Sequence, residues 1–391
     1  MKYTLFIVAH FVFSLLGLAQ TNSSNLVKVG AQQAALYFPL LEQKNIAVIA
    51  NQTSLIGEEH LVDSLLTLGI PVKKVFSPEH GFRGIADAGE LIGNTLDVQT
   101  GLPIISLYGN HKKPTKADLS GIDLVVFDIQ DVGVRFYTYI STLHYVMEAC
   151  AENQISLLVL DRPNPNGFYI DGPVLDTALR SFVGMHPVPL VHGMTLGEYA
   201  LMINGEGWLK NALKCHLQVI PCKNYTHKIR YELPVKPSPN LPNKQAVCLY
   251  PSLALFEGTV VSVGRGTDFP FQVYGHPALK GTFEFTPQST AGAKKPKLEN
   301  ELCRGKDLRQ TDCEKTLNGS AFTLAYLIEA YGELQNQTAF FNSFFAKLAG
   351  THELQKQIEN GWYEAEIRQS WEPALSQFRT IRSRYLLYED F

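Results

Sequence analysis

Neither sign of charge is in excess in this chain. Lysine and arginine total 34 against 37 aspartates and glutamates, a formal net charge of −3 over 391 residues. A protein that grips nucleic acid by its phosphates needs a basic field, and none is present. Tryptophan occurs only three times, so any stacking on a sugar ring falls to the 17 tyrosines and 22 phenylalanines. After the first 18 residues no apolar run is long enough to cross a bilayer. Internal repeats and low-complexity tracts are missing as well. With 45% hydrophobic and 18% charged residues, the composition excludes a disordered tail, a coiled coil and a collagen-like fibre. The length suits two domains, or one large one.

Several short motifs are also absent. The six cysteines (Cys150, Cys215, Cys222, Cys248, Cys303, Cys313) show no CxxC spacing, which argues against structural zinc. The histidines form no HxH or HExxH, so no catalytic metal is expected. There is no phosphate loop, and the first strand opens into Gln52-Thr53-Ser54-Leu55-Ile56-Gly57 rather than GxGxxG. A nucleotide cofactor is therefore not expected. No GxSxG elbow marks an α/β-hydrolase.

The N-terminus reads as an export signal. Lys2 supplies the positive end, residues 5–18 the apolar core, and Gly17-Leu18-Ala19 the small-residue cleavage site, with cleavage expected after Ala19. No Cys follows Leu15-Leu16-Gly17, so no lipid anchor is expected. The mature protein is expected in the periplasm, with no stable membrane insertion after cleavage. Export permits disulfides, and six thiols allow 15 pairings. Cys303 and Cys313 flank a polar stretch suited to a stapled loop. Cys150 lies on an apolar helical pattern and reads as a buried thiol.

Along the mature chain, short apolar bursts alternate with helical patterns. Residues 45–50, 72–76, 102–107, 123–127 and 156–160 read as strands; 59–68 and 139–152 read as helices. That alternation predicts an α/β fold: a Rossmann-like, doubly wound, mainly parallel sheet over 26–233. A proline cluster from Leu233 to Pro242 reads as a stiff linker or a rigid wall. Beyond it, 236–391 is expected to form a smaller α/β or α+β domain. It is read with a strand at 259–263 and helices near 322–331 and 340–348. The active-site cleft is expected between the two.

Ligands of such sheets collect beyond the carboxyl ends of the strands, so the strand exits are the segments to inspect. They read Asn51-Gln52-Thr53-Ser54, Ser77-Pro78-Glu79-His80-Gly81, Asp128 through Arg135, and Asp161-Arg162-Pro163-Asn164-Pro165-Asn166-Gly167. Glu79 is the sharpest candidate, because a carboxyl beside the His80 imidazole can be tuned as a general acid or base. Its structural alternative is a helix cap. Asp128 follows four apolar residues and so needs a buried partner, for which Arg135 is nearest in sequence. Asp128 or Asp131 is either a second catalytic carboxylate or part of a structural pair. Tyr137 lines the same cleft or packs in the core. Asn51 and Asn164 offer amides that both donate and accept, as sugar hydroxyls require. His192 precedes a capping box formed by Thr195 and Glu198. Glu257 is a further acid, and Arg265, between Gly264 and Gly266, offers a fork for a carboxylate.

Taken together, four stretches resemble the exo-β-N-acetylmuramidase family: Ser77-Pro78-Glu79-His80-Gly81-Phe82-Arg83-Gly84, Phe127 through Tyr139, Leu160-Asp161-Arg162-Pro163-Asn164-Pro165, and Val263-Gly264-Arg265-Gly266-Thr267. They stand in family order over most of the mature chain. The resemblance implies release of N-acetylmuramic acid from the non-reducing ends of peptidoglycan fragments. The partners it implies are muramyl saccharides, and the family's catalytic glutamate falls on Glu79.

On this reading Glu79 protonates the glycosidic oxygen, aided by His80, and a second carboxylate serves water or the oxocarbenium-like transition state. If strand one lies between strands two and four, their ends are roughly 9–10 Å apart. That separation favours inversion with Asp128, or a second acid from the other domain. Arg265 or Arg135 is the candidate for the lactyl carboxylate of muramic acid. Two other classes compete: a peptidoglycan-binding protein that has lost catalysis, and a nucleotide-dependent oxidoreductase. The missing glycine fingerprint and the export signal disfavour the latter.

Overall fold

The computed structural model describes residues 26–83, 95–313, 321–336 and 338–391. The export-signal reading and Gly84 lie outside them. The strands are β1 (Ile46–Ala50), β2 (Leu55–Ile56), β3 (Glu59–His60), β4 (Val72–Ser77), β5 (Thr95–Leu96), β6 (Pro103–Ser106), β7 (Leu124–Asp128), β8 (Ser156–Leu160), β9 (Leu217–Ile220), β10 (Val273–His276), β11 (Phe283–Phe285) and β12 (Cys303–Asp307). The α-helices are α1 (Ala34–Leu41), α2 (Leu61–Thr67), α3 (Tyr139–Asn153), α4 (Leu196–Gly205), α5 (Lys244–Leu253), α6 (Ala325–Leu334), α7 (Phe345–Ala349), α8 (Glu353–Glu359) and α9 (Glu364–Arg382).

Seven strands form the main sheet in the order β5-β6-β4-β1-β7-β8-β9. All neighbours pair in parallel except β5, which runs antiparallel to β6 at the edge. Numbered by chain order, the parallel strands read 3-2-1-4-5-6, the doubly wound arrangement, with its reversal between β1 and β7. The pleat divides the apolar runs between two faces. Ile46, Val48, Ala50, Leu124, Val126, Leu158 and Leu160 pack with α1 and α2. Ala47, Ile49, Val125, Phe127, Leu157 and Val159 pack with α3 and α4. That second core does not stop at the proline cluster. It continues through Val247, Leu253, Phe256, Val263 and Phe271 to Phe345 and Trp371. A small antiparallel sheet, β10-β12-β11, lies beyond it.

Several expected elements differ. Glu59 and His60 begin no helix; they pair with Leu55 and Ile56 in a tiny hairpin, and His60 caps α2 by accepting from the Val62 N–H. Residues 259–263 are β-branched except for Ser262 but form no strand, because they follow a 3₁₀ turn (Ala254–Gly258) and make only isolated bridges at Thr259 and Ser262. The two late helices start later than the apolar pattern does, at Ala325 and Phe345. Cys313 bonds to Cys248 rather than Cys303, so the staple ties α5 to a distant loop. Cys303 and Cys150 are buried thiols.

Candidate active site

Glu79 leaves the end of β4. The Gly81 N–H bonds to the Pro78 carbonyl at 3.1 Å and closes a turn around it. His80 sits at φ +71 within that turn, a left-handed position that costs a side-chain-bearing residue. The strain is held by burial, since His80 is only 6% exposed. Glu79 and His80 then line one hollow with Phe136, Tyr137, Thr138, Tyr139, Ser238, Asn240, Leu241, Tyr250, Arg265 and Phe271. Among the described residues Glu79 is the only carboxylate lining it.

Each wall has its own origin. Thr138 and Tyr139 come from the start of α3, and the Thr138 hydroxyl donates to Glu79 Oε2 at 3.1 Å. Tyr137 and Tyr139 meet edge-on at 4.9 Å, and Tyr250 of α5 meets Phe271 edge-on at the same separation, 4.9 Å. Burial raises all three phenols above their ordinary range, so they remain neutral hydroxyls. The proline-rich segment forms the facing wall. Its Pro237 carbonyl accepts from the Tyr137 hydroxyl at 2.9 Å and from the Gln52 amide at 3.1 Å. Asn240 is fixed by donating to the Gly292 carbonyl at 2.7 Å.

Arg265 enters from the second half of the chain. Its Nη2 pairs with Glu257 at 2.9 Å, and its guanidinium lies 5.2 Å from the Phe271 ring centre. Its buried Nε–H has no hydrogen-bond partner among the described residues. Both Glu79 and Glu257 act electrostatically on Arg265 and on the neighbouring Tyr250 hydroxyl. The pair is braced from behind by Lys297, whose ammonium donates to the carbonyls of Phe256 and Thr259 on either side of Glu257. Burial lowers that ammonium to about 8. Sequence reasoning missed Lys297, which has no local pattern to mark it.

Other predicted site residues lie elsewhere. Asp128 is fully buried and forked by Arg162, with Nε to Oδ1 at 2.6 Å and Nη2 to Oδ2 at 2.9 Å. Its partner is therefore not Arg135, and both oxygens are committed away from the hollow. Arg135 is sealed in the core, donating to the carbonyls of Pro173, Val188, Leu348 and Ala349. Among the described residues no carboxylate pairs with it, and desolvation lowers it to about 10. It joins the first half of the chain to the end of α7 rather than meeting a substrate anion. Asn51 binds Tyr139 and Thr53, and Asn164 binds Met194 and Asn166, so their amides serve the backbone scaffold. His192 accepts from the Met194 N–H, and burial lowers it to about 3. Asp131 lies outside the lining, near Tyr137, Tyr139 and Tyr250. Burial raises its carboxyl to about 7 against the N–H groups of Gly133 and Val132. The capping box holds: Thr195 N–H donates to Glu198 Oε2 at 2.9 Å.

Tyr108 was also missed. It leaves β6, a strand exit that the strand-end rule covers, and the nearby Glu79 carboxylate helps to raise its phenol.

The chain matches the family described as exo-beta-N-acetylmuramidase NamZ, N-terminal, over residues 46–245, and its C-terminal counterpart over 248–388. A peptidoglycan beta-N-acetylmuramidase NamZ from Bacillus subtilis (strain 168) is 42% identical over 338 residues, covering 82% of this chain and 80% of its own. Two solved structures of DUF1343 family proteins from Bacteroides fragilis NCTC 9343 share the fold. One has a TM-score of 0.87 at 49% identity, covering 94% of this chain and all of its own. The other has a TM-score of 0.80 at 27% identity, covering 93% and 99%.

Proposed function

This chain belongs to the exo-beta-N-acetylmuramidase NamZ family, and from that premise we propose how its hollow performs the reaction. The protein is a glycoside hydrolase, an exo-acting muramidase of peptidoglycan. The terminal N-acetylmuramic acid enters with its glycosidic oxygen against Glu79, which delivers the proton to the leaving sugar while His80 fixes the turn that carries it. The second acid comes from the second half of the chain, where Glu257 stands behind the lining in a pair with Arg265, since Asp128 is locked by Arg162. Tyr137, Tyr139 and Tyr250 give the ring an aromatic wall. Arg265 receives the lactyl carboxylate through a charge-assisted pair. The observation that carries this reading is that Glu79 is the one carboxylate lining the hollow among the described residues.

The test is a disaccharide of muramic acid and glucosamine, with products identified. Glu79→Gln is expected to lose turnover by about 10²–10⁴-fold while still binding. Arg265→Ala is expected to weaken binding of muramyl saccharides more than of glucosaminyl ones. Full turnover in the Gln variant would remove Glu79 from the chemistry.

The enzyme works outside the cytoplasm, in the periplasm, after loss of residues 1–19; the export-type N-terminus supports this. N-terminal sequencing of the exported protein should begin at Gln20, and a retained Met1 would refute it.

A further inference from the structure

Strand pairing brings one more side chain to Glu79. In the parallel β4–β6 ladder Ser77 stands opposite Ser106, and the Leu107 N–H continues the ladder to the Ser77 carbonyl at 2.8 Å. Two residues on from each, Tyr108 falls level with Glu79. The chain then turns away at Gly109, φ +69, so the tyrosine is the last residue of this path beside the site. Tyr108 is half-buried, close enough to the Glu79 carboxyl that Thr138 holds from α3 for that carboxylate to raise its phenol.

We infer that Tyr108 is the positioning residue of Glu79, clamping its carboxyl with Thr138 so that it faces the hollow in both of its protonation states. The inference rests on the reading of Glu79 as the proton donor. A hydroxyl suits the task because it donates to a carboxylate and accepts from a carboxylic acid. Burial and the adjacent carboxylate push the Tyr108 phenol far above its ordinary range, so it stays a hydroxyl at every working pH. Among the described residues, the other titratable groups around Glu79 include His80 beside it, Tyr139 of α3, Tyr250 of α5 and Arg265. None of them comes from β6, so Tyr108 is this strand's contribution to the carboxyl.

The experiment is Tyr108→Phe, with kcat and KM for the muramic acid–glucosamine disaccharide followed across pH. Loss of the donor disfavours the charged carboxyl. The limb on which Glu79 loses its proton should therefore move to higher pH, by about half to one unit. kcat should fall about tenfold or more with KM little changed. Enzyme carrying 3-fluorotyrosine at 108, a stronger donor of nearly the same shape, should move the limb the other way. An unmoved limb in both proteins would overturn the inference, whatever the Phe variant does to thermal stability. Glu79→Gln, run alongside, separates the two ideas. If it stays active, the role of Glu79 falls. If it is silent while Tyr108→Phe behaves as wild type, only the role of Tyr108 falls.

Discussion

Asp128 and Asp131 leave the same strand three residues apart and end in opposite circumstances. Asp128 has both oxygens in the Arg162 fork. Asp131 gives Oδ1 to the Gly133 N–H at 2.7 Å, and its buried Oδ2 has no hydrogen-bond partner among the described residues. Desolvation raises it to about 7, above its unfolded value near 4. A carboxyl raised on folding contributes stability below its unfolded pKa and loses it as pH rises through the folded one. Asp131→Asn keeps the acceptor and removes the charge. It should be more stable than the parent at pH 8, by a few kcal/mol, with the gap closing towards pH 4. Urea melts at the two pH values check this; an equal gap at both would refute it. That Asp128 needs a buried partner is legible from the four apolar residues before it. The partner is not, because Arg162 becomes a neighbour only once β7 lies beside β8, with Phe127 opposite Val159. Arg135 is closer in sequence, but its chain has already turned into the core.

At the level of elements, what reads from the sequence is what burial on both faces dictates. The five short apolar runs are strands because parallel strands sandwiched by helices need no polar face. β9 escapes the same reasoning: it is an edge strand, and Gln218 between Leu217 and Val219 interrupts its apolar run. The β-branched run at 259–263 misleads because strand propensity expresses itself only where a partner strand waits. The proline cluster reads correctly as stiff, yet its role as a wall depends on the Tyr137 and Gln52 bonds to Pro237, which no local pattern shows. The cap of α7 is similarly hidden. Gly350 ends that helix at φ +75, and a Cβ there would stand 2.4 Å from Arg135 Nη2. Gly350→Ala should therefore cost at least about 2 kcal/mol, from left-handed backbone and a displaced buried guanidinium. A chemical melt unchanged within error would contradict this.

Across the whole molecule, the end of the chain returns to the first half. The Leu387 N–H donates to Glu198 at 2.9 Å, the Tyr388 hydroxyl to Asp161 at 2.5 Å, and Glu389 accepts from the His227 N–H at 2.9 Å. Arg382, 2% exposed, is forked by Asp390. Removing residues 385–391 would strip Asp161, Glu198 and Arg382 of these partners while they remain buried. The expected loss is about 3 kcal/mol or more, read as a lowered Tm; a truncated protein melting with the parent would refute it. The shared core has a reach of its own. Because α5 carries Val247, Leu249 and Leu253 into the same interior as Val125 and Leu157, the two family regions that meet at this helix share one core. Severed at that helix, the two polypeptides would each bare a greasy flank, so a lineage exchanging one half by recombination must exchange its matching face as well.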